Sequence, residues 1–226
     1  MGPDAVDDRR FVGYRRKLIE EIRRKGITDL DILSTFDAIP RHHFLPEGVQ
    51  PRAYEDSPIP IGFGQTASQP SLQAYFMSIL KPTETDVVLE IGTGCGFLTA
   101  LLASRADRVY SVERIRELSH RSRDALDAME VRNVALMVGD GTIGWRKYAP
   151  YDVIVVSAGA PDVPQALLDQ LAEGGRMVIP VGGREEQELR FIRRIEGELI
   201  DEPVAGHCMF VPLLGSFAWA PDGEEI

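Results

Sequence analysis

The 226-residue chain predicts a doubly wound α/β fold, with a mostly parallel sheet, helices on both faces and a small helical N-terminal extension. Three observations lead there. Short apolar, β-branched runs recur from Val87 onward. Helical stretches separate most of them. The runs are apolar on both faces, as strands buried in a parallel sheet are.

Residues 8–25 read as an amphipathic helix ending near Gly26, with Leu18, Ile19 and Ile22 set among Arg15, Arg16, Lys17, Arg23 and Arg24. Thr28 to Asp31 fits a capping box for a second short helix, which Pro40 closes. Residues 41–70 carry Pro46, Pro51, Pro58, Pro60 and Pro70 and predict irregular structure. Within them Ile59–Pro70, IPIGFGQTASQP, predicts neither strand nor helix. Such a loop either wraps a ligand or is plain punctuation. Ser68 and Pro70 mark a helix start, followed by Leu72, Tyr75, Phe76, Ile79 and Leu80.

The predicted parallel strands are Val87–Ile91, Arg108–Glu113, Val134–Val138, Tyr151–Val156 and Arg176–Val181. Helices are predicted over Leu98–Ser104, Ile115–Met129 and Val163–Ala172. Glu188–Ile195 and Cys208–Leu213 read as strands added at one edge, and PDGEEI as a frayed acidic tail. One domain is expected over 1–226: N-terminal helices and loop over 1–70, core over 71–215, tail over 216–226.

A hydrophobic fraction of 44% and a charged fraction of 27% are ordinary for a globular protein. No apolar run approaches the roughly 18 residues of a membrane span, and the charged N-terminus lacks a signal-peptide core, so a cytoplasmic location is expected. Cys95 and Cys208 read as free thiols, and His42, His43, His120 and His207 form no ligand spacing, so no metal is expected. A formal charge of −10 opposes a nucleic-acid partner, and the basic residues of the first helix read as a solvated face. Without a coiled-coil seam or apolar stripe, a monomer is expected.

Directly after the first strand of the core comes Glu90-Ile-Gly92-Thr93-Gly94-Cys95-Gly96-Phe97. A glycine turn there lets backbone approach a ligand, with a helix N-terminus behind it. The spacing is not the dinucleotide G-x-G-x-x-G, because position 97 is Phe. The E-x-G-x-G-x-G pattern resembles the first motif of the Rossmann-like methyltransferases that bind S-adenosyl-L-methionine. Glu113 ends the next strand, where doubly wound nucleotide-binding folds place a carboxylate on the ribose hydroxyls. Asp140-Gly141 ends the third, where the methyltransferases hold the adenine amino group. Each signal alone has a bland alternative, a loop start or a plain turn, and a nicotinamide oxidoreductase is the competing reading.

More of the chain resembles one family, the protein-L-isoaspartate O-methyltransferases. The matching stretches include Arg41 with Phe44, Ala53–Asp56, Pro60–Gly62, Gly64–Thr66, Ser68–Pro70, Leu89–Gly94, Gly139–Gly141, Gly144-Trp145, Gly174–Arg176, Pro180–Gly182 and Val211–Leu213. The Gly-Gln-Thr-x-Ser-Gln-Pro segment is specific to that family. The resemblance implies methyl transfer to the free α-carboxylate of isoaspartyl residues in aged proteins and peptides, whose ester then closes to a succinimide. It implies Ser68 as the active-site residue, and Gln65, Thr66, Ser68, Glu90, Gly92, Thr93, Gly94, Gly96, Glu113, Asp140 and Gly141 as cofactor contacts. Ala67, Val211, Pro212 and Leu213 would face the peptide. The residues also allow Ser68 to be only a helix cap, and 211–213 only edge-strand core.

The chemistry asks for no general base, since an α-carboxyl with a pKa of roughly 3.5 is already ionised. Positioning alone can supply about 7–11 kcal/mol. Glu55 and Asp56 would repel that anion, so they fit loop positioning better than substrate contact. Ala67 stands where the family usually has a larger aliphatic residue, and Cys95-Gly96-Phe97 where it has Ser-Gly-Tyr; these bear on substrate preference. Two other readings are a carboxylate methyltransferase for a dedicated peptide, whose relatives often carry an added C-terminal domain, and a non-catalytic binding module.

Overall fold

The computed structural model describes residues 4–220, and the chain divides into two compact units, Met1–Lys81 and Pro82–Ile226. The division falls after the third helix, later than the 70/71 boundary that the sequence predicts.

In the first unit, α1 (Asp4–Arg24) buries Phe11, Leu18 and Ile22 and leaves Arg9, Arg16, Lys17, Arg23 and Arg24 exposed. These form a solvated face, whereas Arg15 is largely covered and pairs with Asp37 at 3.2 Å. Helix α2 (Leu30–Ala38) is capped by Asp29 and not by the predicted Thr28: the Asp29 carboxylate accepts from the N–H of Asp31 at 2.9 Å and of Ile32 at 3.3 Å. Asp29→Ala is expected to lower unfolding free energy by about 1 kcal/mol in urea, the usual worth of an N-cap. Thr28→Ala should stay within about 0.5 kcal/mol.

The stretch predicted to form neither strand nor helix is a β-hairpin. Strands β1 (Ile59–Gly62) and β2 (Gln65–Ala67) pair antiparallel, Ile59 with Ala67, Pro60 with Thr66 and Gly62 with Gln65. Phe63 (φ 54°) and Gly64 (φ 69°) make the two-residue turn, with the positive φ at both positions that matches the twist of tight hairpins. A two-stranded ribbon also leaves one side of each strand outside the ladder, which makes proline tolerable. Helix α3 (Pro70–Leu80) follows, with proline at its start and left-handed Lys81 at its end.

The second unit is a seven-stranded sheet in the order β5-β4-β3-β6-β7-β8-β9. Strands β3 (Val87–Ile91), β4 (Arg108–Glu113), β5 (Val134–Val138), β6 (Tyr151–Val156) and β7 (Leu171–Gly182) run parallel. Their apolar runs are buried: Val88, Leu89, Val109, Val112, Val153, Ile154, Val155, Met177 and Ile179 are at most 1% exposed. Helices α4 (Phe97–Ala103) and α5 (Arg116–Ala128) connect the first three strands.

Three predicted elements differ. The helix over 163–172 is a single turn, α6 (Gln165–Leu168), because Leu171 already opens β7 and pairs with Tyr151. The last sheet strand is β9 (Glu198–Cys208), antiparallel to β8 (Gln187–Ile195); its short apolar stretches are broken by Asp201, Glu202, Pro203 and Gly206, so no continuous apolar run marks it. The predicted edge strand 208–213 instead leaves the sheet after Cys208. Gly159 N–H donates to Val211 O and Leu213 N–H to Gly159 O, both at 2.8 Å. Within 216–220, Ala218 is buried in the sheet core and Trp219 Nε1 donates to Gly159 O at 3.1 Å. PDGEEI lies outside the described residues.

Candidate active site

Successive strands β3, β4 and β5 run outward in one direction, and β6 and β7 in the other. The order therefore reverses between β3 and β6, the place where open α/β sheets bind ligands beyond their strand C-termini. The glycine turn leaves β3 there. Gly96 has φ 88°, a conformation side-chain-bearing residues rarely adopt, and a Cβ on it would crowd the Ser122 Cβ on α5 at 3.1 Å.

Glu113, at the end of β4, ties this turn down. Its Oε2 accepts from Gly94 N–H and its Oε1 from Ile115 N–H, each at 2.9 Å. A carboxylate has about four lone-pair sites, so acceptor capacity remains on both oxygens for a pair of hydroxyls. Thr93 is 4% exposed and shares a 2.6 Å hydrogen bond with Ser111.

Glu90, expected among the cofactor contacts, is wholly buried beneath the turn. Its Oε2 accepts from the hydroxyls of Thr99 and Ser111, both at 2.6 Å, while Oε1 has no hydrogen-bond partner among the described residues. Burial pushes its pKa up to about 7; the two hydroxyls pull against that and the charge of Glu113 adds to it. Its geometry is that of a support for the turn. Thr99 and Ser111, its partners, are missed by sequence reasoning; the only signal is two hydroxyl residues inside otherwise apolar elements.

Asp140 follows β5. Its Oδ1 accepts from Thr142 N–H at 2.8 Å and Thr142 Oγ1 at 2.6 Å, and its Oδ2 from Ser216 N–H at 2.8 Å. Phe217 N–H donates to Thr142 Oγ1 at 3.1 Å. Residues 215–217 thus lie across Asp140 as a strap, and a Cβ at Gly215 would meet Asp140 Oδ1 at 2.1 Å. Burial acts to raise the Asp140 pKa, but the bonds from Ser216 and Thr142 outweigh it and hold the carboxylate below its ordinary value. Gly141 is buried against Ile91. In the same unit Val211 and Pro212 are half-buried and Leu213 is core.

The remaining predicted residues belong to the first unit. Gln65 is half-buried and donates to Phe63 O at 3.3 Å, Thr66 is exposed, Ala67 is buried and Ser68 is half-buried. Ser68 does not cap α3. The N-cap is Gln69, which makes no side-chain cap bond, and the first-turn N–H of Ser71 goes to Asp56 Oδ1 at 2.8 Å. Asp56 Oδ2 also accepts from Gln69 Nε2 at 3.0 Å and pairs with Lys25. Glu55 instead forms an exposed ion pair with Arg52 at 2.9 Å. Asp56 accordingly organises the segment around Ser68. Among the described residues no group of three or more His, Cys, Asp or Glu is arranged to hold a metal, and no helix is long and apolar enough to cross a membrane.

The family model described as protein-L-isoaspartate(D-aspartate) O-methyltransferase (PCMT) matches residues 14–218. The chain belongs to the protein-L-isoaspartate O-methyltransferase family. It is 46% identical over 210 residues to the protein-L-isoaspartate O-methyltransferase of Geobacter metallireducens, covering 92% of this chain and 97% of that one. With the enzyme of the same name from Methanoculleus marisnigri it shares 47% identity over 206 residues, 91% of this chain and 93% of the relative. Among solved structures, a protein-L-isoaspartate O-methyltransferase superposes with a TM-score of 0.81 at 29% identity, over 90% of this chain and 67% of that one. A Plasmodium falciparum protein assigned to the same activity, solved in complex with S-adenosyl-L-homocysteine, gives 0.78 at 25% identity over 88% of this chain and 98% of that one. As a family member the chain is an S-adenosyl-L-methionine-dependent methyltransferase.

Proposed function

We propose a division of labour among these residues for the reaction this protein-L-isoaspartate O-methyltransferase carries out, methyl transfer from S-adenosyl-L-methionine to the free α-carboxylate of L-isoaspartyl residues. The donor supplies a methyl group on positively charged sulfur. A carboxylate oxygen of the peptide forms the new O–C bond, the C–S bond breaks with its electron pair going to sulfur, and no proton moves. The protein therefore has only to hold and to desolvate.

The turn Gly92–Gly96 offers bare backbone to the amino-acid part of the donor, with Thr93 fixed beneath it. Glu113 takes the ribose hydroxyls on its remaining lone pairs, and Asp140 with Gly141 takes the adenine edge. Their fit rests on acceptors at two successive strand ends flanking a turn whose three glycines all take positive φ. Gln65, Thr66 and Ser68 contact the donor, and their segment also fixes the peptide carboxylate, with Ser68 hydrogen-bonding it and not acting as a nucleophile. One observation carries that role: α3 is capped without Ser68, so its hydroxyl is not spent on the helix. Ala67, Val211, Pro212 and Leu213 line the peptide side.

We place the enzyme in the cytoplasm as a monomer without nucleic-acid partners, supported by a net charge of −10 and by Cys95 and Cys208 forming no disulfide. The test uses labelled S-adenosyl-L-methionine and peptide pairs differing only in isoaspartyl or aspartyl linkage. Base-labile label is expected on the isoaspartyl member alone. Label on the aspartyl member would favour a dedicated aspartate methyltransferase, and binding without transfer a non-catalytic module.

A further inference from the structure

The largest wholly buried side chain among the described residues is a charged one. Arg41, 1% exposed, stands at the start of a short 3-10 turn, Arg41–Phe44. Its Nη1 donates to Ala53 O at 2.7 Å and to Glu55 O at 3.4 Å, and its Nη2 donates to Ser68 O at 3.0 Å. One planar guanidinium thus joins two stretches of irregular backbone, the turn at 53–55 and the residue proposed to hold the substrate carboxylate.

The turn it grips leads directly into Asp56, whose carboxylate takes the Gln69 side chain and the Ser71 N–H. Ser68 is therefore fixed from both sides. Arg41, which can only donate, holds its carbonyl; Asp56, an acceptor, holds the next residue and the first turn of α3. Burying a guanidinium to satisfy three main-chain carbonyls is an expensive way to stabilise a loop, since apolar packing fills a core more cheaply. What it does provide is geometry: a rigid fork sets angles that a flexible ammonium does not.

We infer that Arg41 is a positioning residue for methyl transfer, setting the Ser68 backbone, and with it the carboxylate-holding segment, through the Ser68 carbonyl. The inference rests on the proposed role of Ser68. A displacement of about 1 Å at a reacting centre can cost as much as 100-fold in rate, so a loosened fork shows in turnover first.

The experiment compares Arg41→Lys, Arg41→Gln, Ser68→Ala and the Arg41→Lys/Ser68→Ala double variant, measuring kcat and KM on an isoaspartyl peptide, cofactor Kd by calorimetry, and Tm. Arg41→Lys keeps the charge and the stem, which guards against a variant that fails to fold. It is expected to bind cofactor within about two-fold of wild type, with kcat lowered at least ten-fold. In the Ser68→Ala background the same change should cost much less, because residues acting as one unit are non-additive. Millimolar guanidinium should restore part of the turnover of Arg41→Gln. Wild-type kcat per folded molecule in Arg41→Lys, beside a crippled Ser68→Ala, overturns this inference alone, as do fully multiplicative losses in the double variant. Wild-type kcat in Ser68→Ala instead removes the reading on which it rests.

Discussion

Ser68→Ala is expected to lower kcat about 100-fold while leaving Tm nearly unchanged. A hydrogen bond to the attacking anion weakens as its charge passes into the ester, so the hydroxyl acts by orientation, and a misplacement of about 1 Å at the reacting centre can cost about 100-fold in rate. Stability should be indifferent, because the start of α3 is served by Asp56 and the Ser68 carbonyl by Arg41, and neither bond involves the hydroxyl. Ser68→Cys, with a weak donor of similar shape, should fall between. Steady-state kinetics with thermal melts on the same preparations decides the matter. A parallel loss of both quantities would mean that Ser68 serves the fold.

The second large effect is a pH dependence of stability centred on Glu90. Its folded pKa is raised from 4.5 to about 7, burial being the main cause. Below about pH 4.5 the carboxyl is protonated in both folded and unfolded chains and makes no difference. Between about 4.5 and 7 the unfolded chain releases the proton while the folded one retains it, so folding loses stability as pH rises. Above 7 the loss is complete. At about 1.36 kcal/mol per pH unit, it reaches about 3 kcal/mol. Glu90→Gln, isosteric and uncharged, should abolish that component, so that wild type declines relative to the variant across this window. Urea titrations at intervals from pH 4.5 to 8 test it, and identical slopes for the two proteins would show that Glu90 is not protonated in the folded state.

Much of the architecture is legible along the chain, for a specific reason. A parallel sheet buried on both faces must be built from short β-branched runs, and Val87–Ile91, Arg108–Glu113 and Tyr151–Val156 carry that signal alone, so β3, β4 and β6 fall where expected. The hairpin at 59–67 does not carry it. Two glycines and a proline usually argue against a ladder, but here the turn uses positive φ at Phe63 and Gly64 to fold the ribbon back. In β9 at the sheet edge, Asp201, Glu202, Pro203 and Gly206 break the apolar residues into stretches too short to read as a strand.

The glycine turn and the acids after it could likewise be read from sequence, because spacing after a strand end determines where such groups emerge. Which way their atoms point could not. Glu90 turns inward and Asp140 is clasped by Ser216, whose place far down the chain no local pattern predicts.

By itself, the order of residues determined the type of fold, the family and the reaction, since these follow from local periodicity and from motifs short enough to be contiguous. Tertiary structure alone decided that Asp56 and Arg41 hold Ser68 and that burial raises the pKa of Glu90. Those outcomes depend on burial and on partners far apart in sequence, and burial is a property of the folded surroundings, not of any segment.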